Sequence, residues 1–200
     1  FFVAAALFWS VFEQAGSTLN LFAERSVNNV VFGVDFPSSW WQSLNPLLIF
    51  IFAPALAWLW VKLGTGQPAS PTKFAIGLVG GGLGFLMLAP AAAAAVGGAK
   101  VGVVWLFATY LTHTLAELCL SPVGLSSMTK LAPARIVGLM MGVWFLAASV
   151  GNLIGGQAAS FYESMPLQTL LIAVAVLPLA AGVGMFVFRK SLTRLMGGIS

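Results

Sequence analysis

The 200-residue sequence has one cysteine, one histidine, and only nine basic and five acidic side chains, so that 7% of it is charged. Ordinary soluble domains carry roughly 25% charge, and this chain holds too little to solvate a globular surface. A disulfide scaffold is excluded because Cys119 has no partner; it reads as a small apolar residue inside an apolar run. No second His or Cys stands near His113 at ligand spacing, so no metal site is expected. The net charge of +4 and pI near 9.7 do not indicate nucleic-acid binding, because the basic residues are scattered between apolar runs. Hydrophobic residues make up 60% of the chain and mean hydropathy is +0.99. The 22 Gly and 10 Pro, damaging in soluble helices, are common in membrane spans. The composition describes a membrane protein.

The chain starts at Phe1 rather than Met, and its first apolar run is too long for a signal-peptide core. It is expected to be a piece of a longer polypeptide.

A bilayer core about 30 Å thick needs roughly 20 apolar helical residues. Six runs of that length, bounded by charge, Pro or Gly, are predicted as spans: 1–22, 43–61, 74–95, 101–128, 136–160 and 167–188. None alternates apolar and polar residues as a membrane-barrel strand must. The expected fold class is therefore an all-α integral membrane bundle of six transmembrane helices in the lipid bilayer. Alternate loops differ in charge: one set carries Lys62, Lys73, Lys130, Arg135, Arg189, Lys190 and Arg194, the other only Arg25 and Lys100. The positive-inside rule then makes the first set and the C-terminus cytoplasmic, as in a multi-pass protein of a bacterial inner membrane. The longest loop, 23–42, falls outside, with Trp40 and Trp41 as an interfacial anchor. Glycine pairs at four-residue spacing allow close helix approach: Gly77/Gly81, Gly80/Gly84, Gly138/Gly142 and Gly151/Gly155. They read as packing surfaces within the bundle, with dimerisation as the alternative. Pro90 is expected to weaken the end of the third span and leave 91–95 frayed.

An ionised side chain at mid-membrane costs at least about 2.5–3.5 kcal/mol on insertion scales. Two are kept. Glu13 lies about 18 Å of helical rise into the first span, and Glu117 about 20 Å before Lys130. Each is followed four residues later by a serine, Ser17 and Ser121, expected on the same helix face. This Glu-x-x-x-Ser recurs in the first helix of each three-helix set, which suits two inverted repeats with a midplane site. Desolvation disfavours a charged carboxyl and an arriving ammonium restores it, so Glu13 and Glu117 read as proton or amine sites. The competing reading is a permanent salt bridge or a hydrogen-bonded carboxyl that holds helices together; no basic residue of the chain lies at matching depth. His113 extends the stripe of Glu117 and Ser121, either as a relay or as a hydrogen-bonded packing residue. Trp9 shares the face of Glu13. Asn45 offers an amide beside Pro46, which is expected to loosen the helix there. Trp144, Phe145, Ser149 and Asn152 mark the fifth span. Aromatic groups beside amides and carboxyls suit a cavity that holds a zwitterion by charge and tolerates varied side chains. Ser121-Pro122 is expected to kink the fourth span below Glu117.

The strings FWSVFEQAGS from Phe8 to Ser17, LFA from Leu21 to Ala23, QSLNP from Gln42 to Pro46, and ELCLSPVGL from Glu117 to Leu125 leading into TKLAP from Thr129 to Pro133 stand beside GLMMGVWF from Gly138 to Phe145 and Gly151-Asn152. Together they resemble the C-terminal half of proton-coupled oligopeptide transporters, the POT/PTR family of the major facilitator superfamily. The resemblance covers nearly the whole chain. It implies that an N-terminal six-helix half precedes Phe1, and that Glu117 receives the peptide amino terminus while Asn45 helps to hold it. It implies a role for Glu13 in proton coupling and gating, and cavity positions for Trp9, Ser121, Trp144 and Phe145. The cationic residues of the family's first and fourth helices, which would receive the peptide carboxylate, belong to the part not in this chain. His113 matches no family motif.

The function expected is proton-coupled symport of di- and tripeptides by alternating access, with the proton as coupling ion and no other cofactor. A carrier of nitrate or another small solute is the first alternative, although a nitrate site should prefer cations to midplane glutamates. A non-transporting membrane scaffold is the second. An intramembrane hydrolase using Glu117 and His113 lacks a nucleophile or metal set, so the chain is not expected to be an enzyme.

Overall fold

Backbone polar groups in lipid must be satisfied within the segment, which leaves helices for apolar runs such as these. The structure, a computed structural model, describes residues 1–31 and 33–196. Its helices are α1 (Phe2–Phe12), α2 (Thr18–Ser26), α3 (Leu44–Leu63), α4 (Ser70–Ala94), α5 (Val103–Leu131), α6 (Val137–Ala159), α7 (Leu167–Val187) and the short α8 (Arg189–Leu195). Among the described residues, five helices are long and apolar enough to cross a membrane. The remaining crossing is divided between α1 and α2 by a 3-10 turn over Glu13–Gly16.

Part of the packing follows an exchange symmetry. Swapping the first crossing, α3 and α4 with α5, α6 and α7 maps the α1–α6 contact onto α5–α3, the α1–α7 contact onto α5–α4, and the α4–α7 contact onto itself. Two inverted three-helix repeats produce this pattern. The closest approaches occur at glycine. A methyl on Gly82 would meet Leu179 Cγ at 2.5 Å, and one on Gly182 would meet Val79 Cγ2 at 2.8 Å, so α4 and α7 interlock reciprocally. Gly77 and Gly80 face Leu120 and Ala116 of α5, while Gly151 and Gly155 abut the α1 backbone at Ala6 and Ser10. Gly138 and Gly142, expected as a similar pair, have nothing within 4 Å.

Three local expectations are corrected. The end of α4 is not frayed: the helix runs through Pro90 to Ala94, and Ala91 and Ala92 are buried core residues. Tertiary packing there outweighs one lost backbone bond. Pro46 does not loosen α3, because it sits in the first turn, where its missing N–H would have had no helical partner. Trp40 and Trp41 do not act as a pair. Trp40 is 64% exposed, whereas Trp41 is buried, donates from Nε1 to Asn29 Oδ1 at 3.0 Å and stacks on Tyr110. α5 continues without interruption through Pro122 to Leu131.

The loop after α2 holds an antiparallel hairpin, β1 (Val30–Val31) and β2 (Val34–Asp35), followed by a 3-10 segment over Ser38–Ser43. At the same end of the bundle, Val101 N–H donates to Ser26 O, Asn28 N–H donates to Val101 O, and Arg25 pairs with Glu163 at 2.8 Å. These bonds tie α2 to the chain before α5 and to the α6–α7 loop.

Candidate functional site

The site is organised by the break in the first crossing. Ser17 takes φ −123° and ψ −92°, outside helical space. A break frees carbonyls that lipid cannot satisfy. Side chains take them up. Gln14, 1% exposed, donates from Nε2 to Ser10 O at 2.9 Å and accepts from Thr18 Oγ1 at 2.8 Å. The Tyr110 hydroxyl of α5 donates to Ala15 O at 3.4 Å. Glu13 and Ser17 therefore do not share a helix face as expected, because four-residue spacing gives one face only in an unbroken helix.

Glu13 stands at the C-terminal end of α1 with its side chain exposed. It borders a cavity of about 210 Å³ that is also lined by Phe12, Gln42, Asn45, Tyr110 and His113. Beside this cavity, Asn45 Nδ2 of α3 donates to Glu117 Oε2 of α5 at 3.0 Å and lies 3.1 Å from Thr114 Oγ1. The Thr114 hydroxyl donates in turn to Tyr110 O at 2.8 Å. Tyr110, Thr114 and Glu117 stand at i, i+4 and i+7, one stripe of α5. Among the described residues no Lys or Arg is paired with either carboxyl. The result is a half-buried acidic acceptor held by one amide, Asn45, which also lines the hollow that the second, exposed carboxyl borders.

His113 is turned elsewhere. It is 3% exposed and its Nε2 lies 3.0 Å from Gly81 O of α4. A carbonyl only accepts, so Nε2 carries the proton. The ring packs against Phe85 and Phe12 at centroid distances of 5.2 and 6.4 Å, in space that a side chain on Gly84 would fill. His113 thus bonds α4 while Glu117 bonds α3.

The remaining predicted positions are dispersed. Half-buried Trp9 packs edge-on to Phe8 and Phe12 and backs onto Gly151 of α6, and its Nε1 has no hydrogen-bond partner. Ser121 is half-buried one turn beyond Glu117. Trp144 is buried over Gly124 and edge-on to Phe74, inside the contact of α6 with α5 and α4. Phe145, Ser149 and Asn152 form an exposed stripe on α6, with Ser149 Oγ donating to Phe145 O. Gln14, Gln42, Tyr110 and Thr114 were not singled out from sequence. The signal for Tyr110 and Thr114 was present in their spacing to Glu117.

Six crossings in two inverted sets, with a carboxyl and amide bridging α3 and α5 beside a divided first helix, define a membrane carrier bundle of the major facilitator kind. The chain belongs to the POT family: the PTR2 family, described as the POT family, matches residues 1–186. It is 46% identical over 172 residues to "Peptide transporter YePEPT" of Yersinia enterocolitica, covering 84% of this chain and 34% of that protein. It is 39% identical over 155 residues to "Dipeptide and tripeptide permease A" of Escherichia coli, covering 78% and 31%. A crystal structure of a mutant peptide transporter POT in complex with alafosfalin superimposes with a TM-score of 0.90 at 39% identity, over 98% of this chain and 40% of that one. A POT family transporter in complex with 5-aminolevulinic acid gives 0.89 at 30% identity, covering 96% and 40%. The chain spans well under half the length of these relatives. It is an integral, multi-pass membrane protein.

Proposed function

We propose that this chain is the C-terminal six-helix half of a proton-coupled symporter of di- and tripeptides, in which it works with an N-terminal half by alternating access. The observation that carries the proposal is the Asn45–Glu117 hydrogen bond across α3 and α5, beside the hollow that Glu13 borders. An ionised carboxylate held by an amide in an apolar surround accepts a peptide ammonium by a charge-assisted bond. The relatives' names and the peptide transporter structure with its ligand support that cargo.

In this reading Glu117 receives the peptide amino terminus and Asn45 orients it. Glu13 exchanges the coupling proton, and the break behind it gives the first crossing a place to bend. Trp9, Ser121 and Phe145, with Ser17 and Asn152, are assigned to the larger cavity formed with the N-terminal half, and Trp144 supports it from the packing of α6 on α5. Cations of the N-terminal half receive the peptide carboxylate. Protonation and docking close one side of the cavity, and the halves then rock about the site; no covalent bond is made or broken. The end bearing Lys62, Lys73, Lys130, Arg135 and the C-terminus is cytoplasmic in a bacterial inner membrane. The inward potential then adds about 2.3 kcal/mol per charge per 100 mV to uptake.

Uptake of labelled dialanine by the full-length protein in proteoliposomes, under an imposed proton gradient, tests the cargo. Competition by unlabelled di- and tripeptides but not by nitrate is expected. Competition by nitrate alone would reassign the carrier, and no uptake of either would favour a scaffold.

A further inference from the structure

Two cavities lie along α4 and α7, neither of them lined by Glu13 or Glu117. The first, about 360 Å³, is lined by Ala69 and Thr72 at the start of α4 and by Arg189, Lys190, Thr193 and Arg194 of α8. The second, about 400 Å³, runs along α4 and α7 and is wholly apolar, lined by Ile76, Val79, Leu83, Val183 and Phe186 among others. They share no lining residue but follow one another in sequence along α4 and along α7 and α8. On α4, residues 69, 72, 76, 79 and 83 recur every three or four positions and so share one face. Val183 and Phe186 lie in the last turns of α7, and Lys190 and Arg194, four residues apart, share a face of α8. Arg189 marks the boundary, with its guanidinium 4.2 Å over the Phe186 ring and donating to Phe186 O.

Among the described residues no acidic side chain is paired with this charge. The five acidic residues, Glu13, Glu24, Asp35, Glu117 and Glu163, all lie elsewhere in the chain. Lys190 and Arg194 are exposed and form no ion pair among the described residues. The other two lysines at this end whose side-chain contacts are defined stack on tryptophans: Lys62 on Trp58, and Lys73 on Trp60 with a bond to Gln67. Three cations and the Thr72 hydroxyl around one cavity, next to an exposed apolar groove on the same helices, match the two parts of one molecule.

We propose that this composite site binds an anionic glycerophospholipid, its phosphate held by Arg189, Lys190 and Arg194 and one acyl chain laid along the α4–α7 groove. Basic pockets between membrane helices take anionic headgroups, and the groove's exposed Ile76, Leu83, Val183 and Phe186 give the chain an apolar wall. The bound lipid clasps the start of α4 to the end of α7, the two helices that interlock through Gly82 and Gly182. The inference does not depend on which solute the carrier moves.

Native mass spectrometry of the full-length transporter, titrated with dioleoyl phosphatidylglycerol, dioleoyl phosphatidylcholine or glycerol 3-phosphate, tests it. One phosphatidylglycerol is expected to bind ahead of all others, with phosphatidylcholine weaker. Lys190→Gln with Arg194→Gln should weaken that lipid about 25-fold, about fivefold per charge removed. Both side chains are exposed and form no ion pair among the described residues, so the melting temperature in detergent should not change. Val183→Trp, which fills the groove at an exposed position, should weaken the two-chain lipid and leave glycerol 3-phosphate binding unaltered. Equal phosphatidylglycerol affinity in wild type and the double variant would overturn the proposal. So would displacement of the lipid by glycerol 3-phosphate at an equal concentration, which would reduce the site to one for free anions.

Discussion

Asn45 Nδ2 donates to Glu117 Oε2 at 3.0 Å and stands 3.1 Å from Thr114 Oγ1, so a single amide ties the first turn of α3 to the middle of α5. Helix α3 otherwise makes little contact with the rest of the bundle beyond α5 and the preceding 3-10 segment. The amide therefore sets both the orientation of the carboxyl and the seat of α3.

Asn45→Ala should remove the donor from a charged acceptor, an interaction of about 1.5–3 kcal/mol. Transmission of about half of that to substrate binding predicts a roughly tenfold rise in the half-saturating peptide concentration. Uptake kinetics of the full-length variant check this; an unchanged value would mean that Asn45 serves packing alone.

His113 donates to Gly81 O and fills the space above Gly84, an arrangement that holds α5 to α4. His113→Gln keeps a donor of similar reach. It is expected to preserve the pH dependence of peptide uptake and to lower the melting temperature. His113→Leu should cost about 1–3 kcal/mol through the orphaned carbonyl. A shifted pH profile in His113→Gln would instead place the imidazole in the proton path.

Gly124 lies directly beneath the Trp144 indole, and a methyl there would overlap the ring. Gly124→Ala should force the indole out of its place between α5 and α6, at about 1–3 kcal/mol. Thermal unfolding in detergent should show a loss of several degrees. The same variant also asks whether Trp144 reaches substrate only through this packing, since peptide affinity should then fall with it.

The helical spans were legible because lipid leaves apolar runs of that length little alternative to helix, and the depth of Glu117 followed from counting rise. Its link to Asn45 was implied by the QSLNP and ELCLSP strings through family resemblance. The break at Ser17 was not legible. A Gly inside a membrane helix is common, and the break here is sustained by Gln14, which Thr18 holds in place, and by Tyr110; both take up backbone carbonyls, the latter from 95 positions away. The roles of His113 and Trp41 were hidden for the same reason. Each is decided by one carbonyl or amide on another element, Gly81 O for the histidine and Asn29 Oδ1 for the tryptophan. Proline was misjudged at positions 46 and 90 because its effect depends on its place within the turn and on what packs around it.

The most direct measurement is proton-driven accumulation of labelled dialanine by the full-length Glu117→Gln variant in proteoliposomes, with thermal unfolding recorded on the same preparation. Loss of accumulation with an unchanged melting temperature is the predicted result, because the neutral amide neither releases a proton nor pairs with an ammonium. Accumulation at the wild-type rate would contradict the role given to this carboxyl.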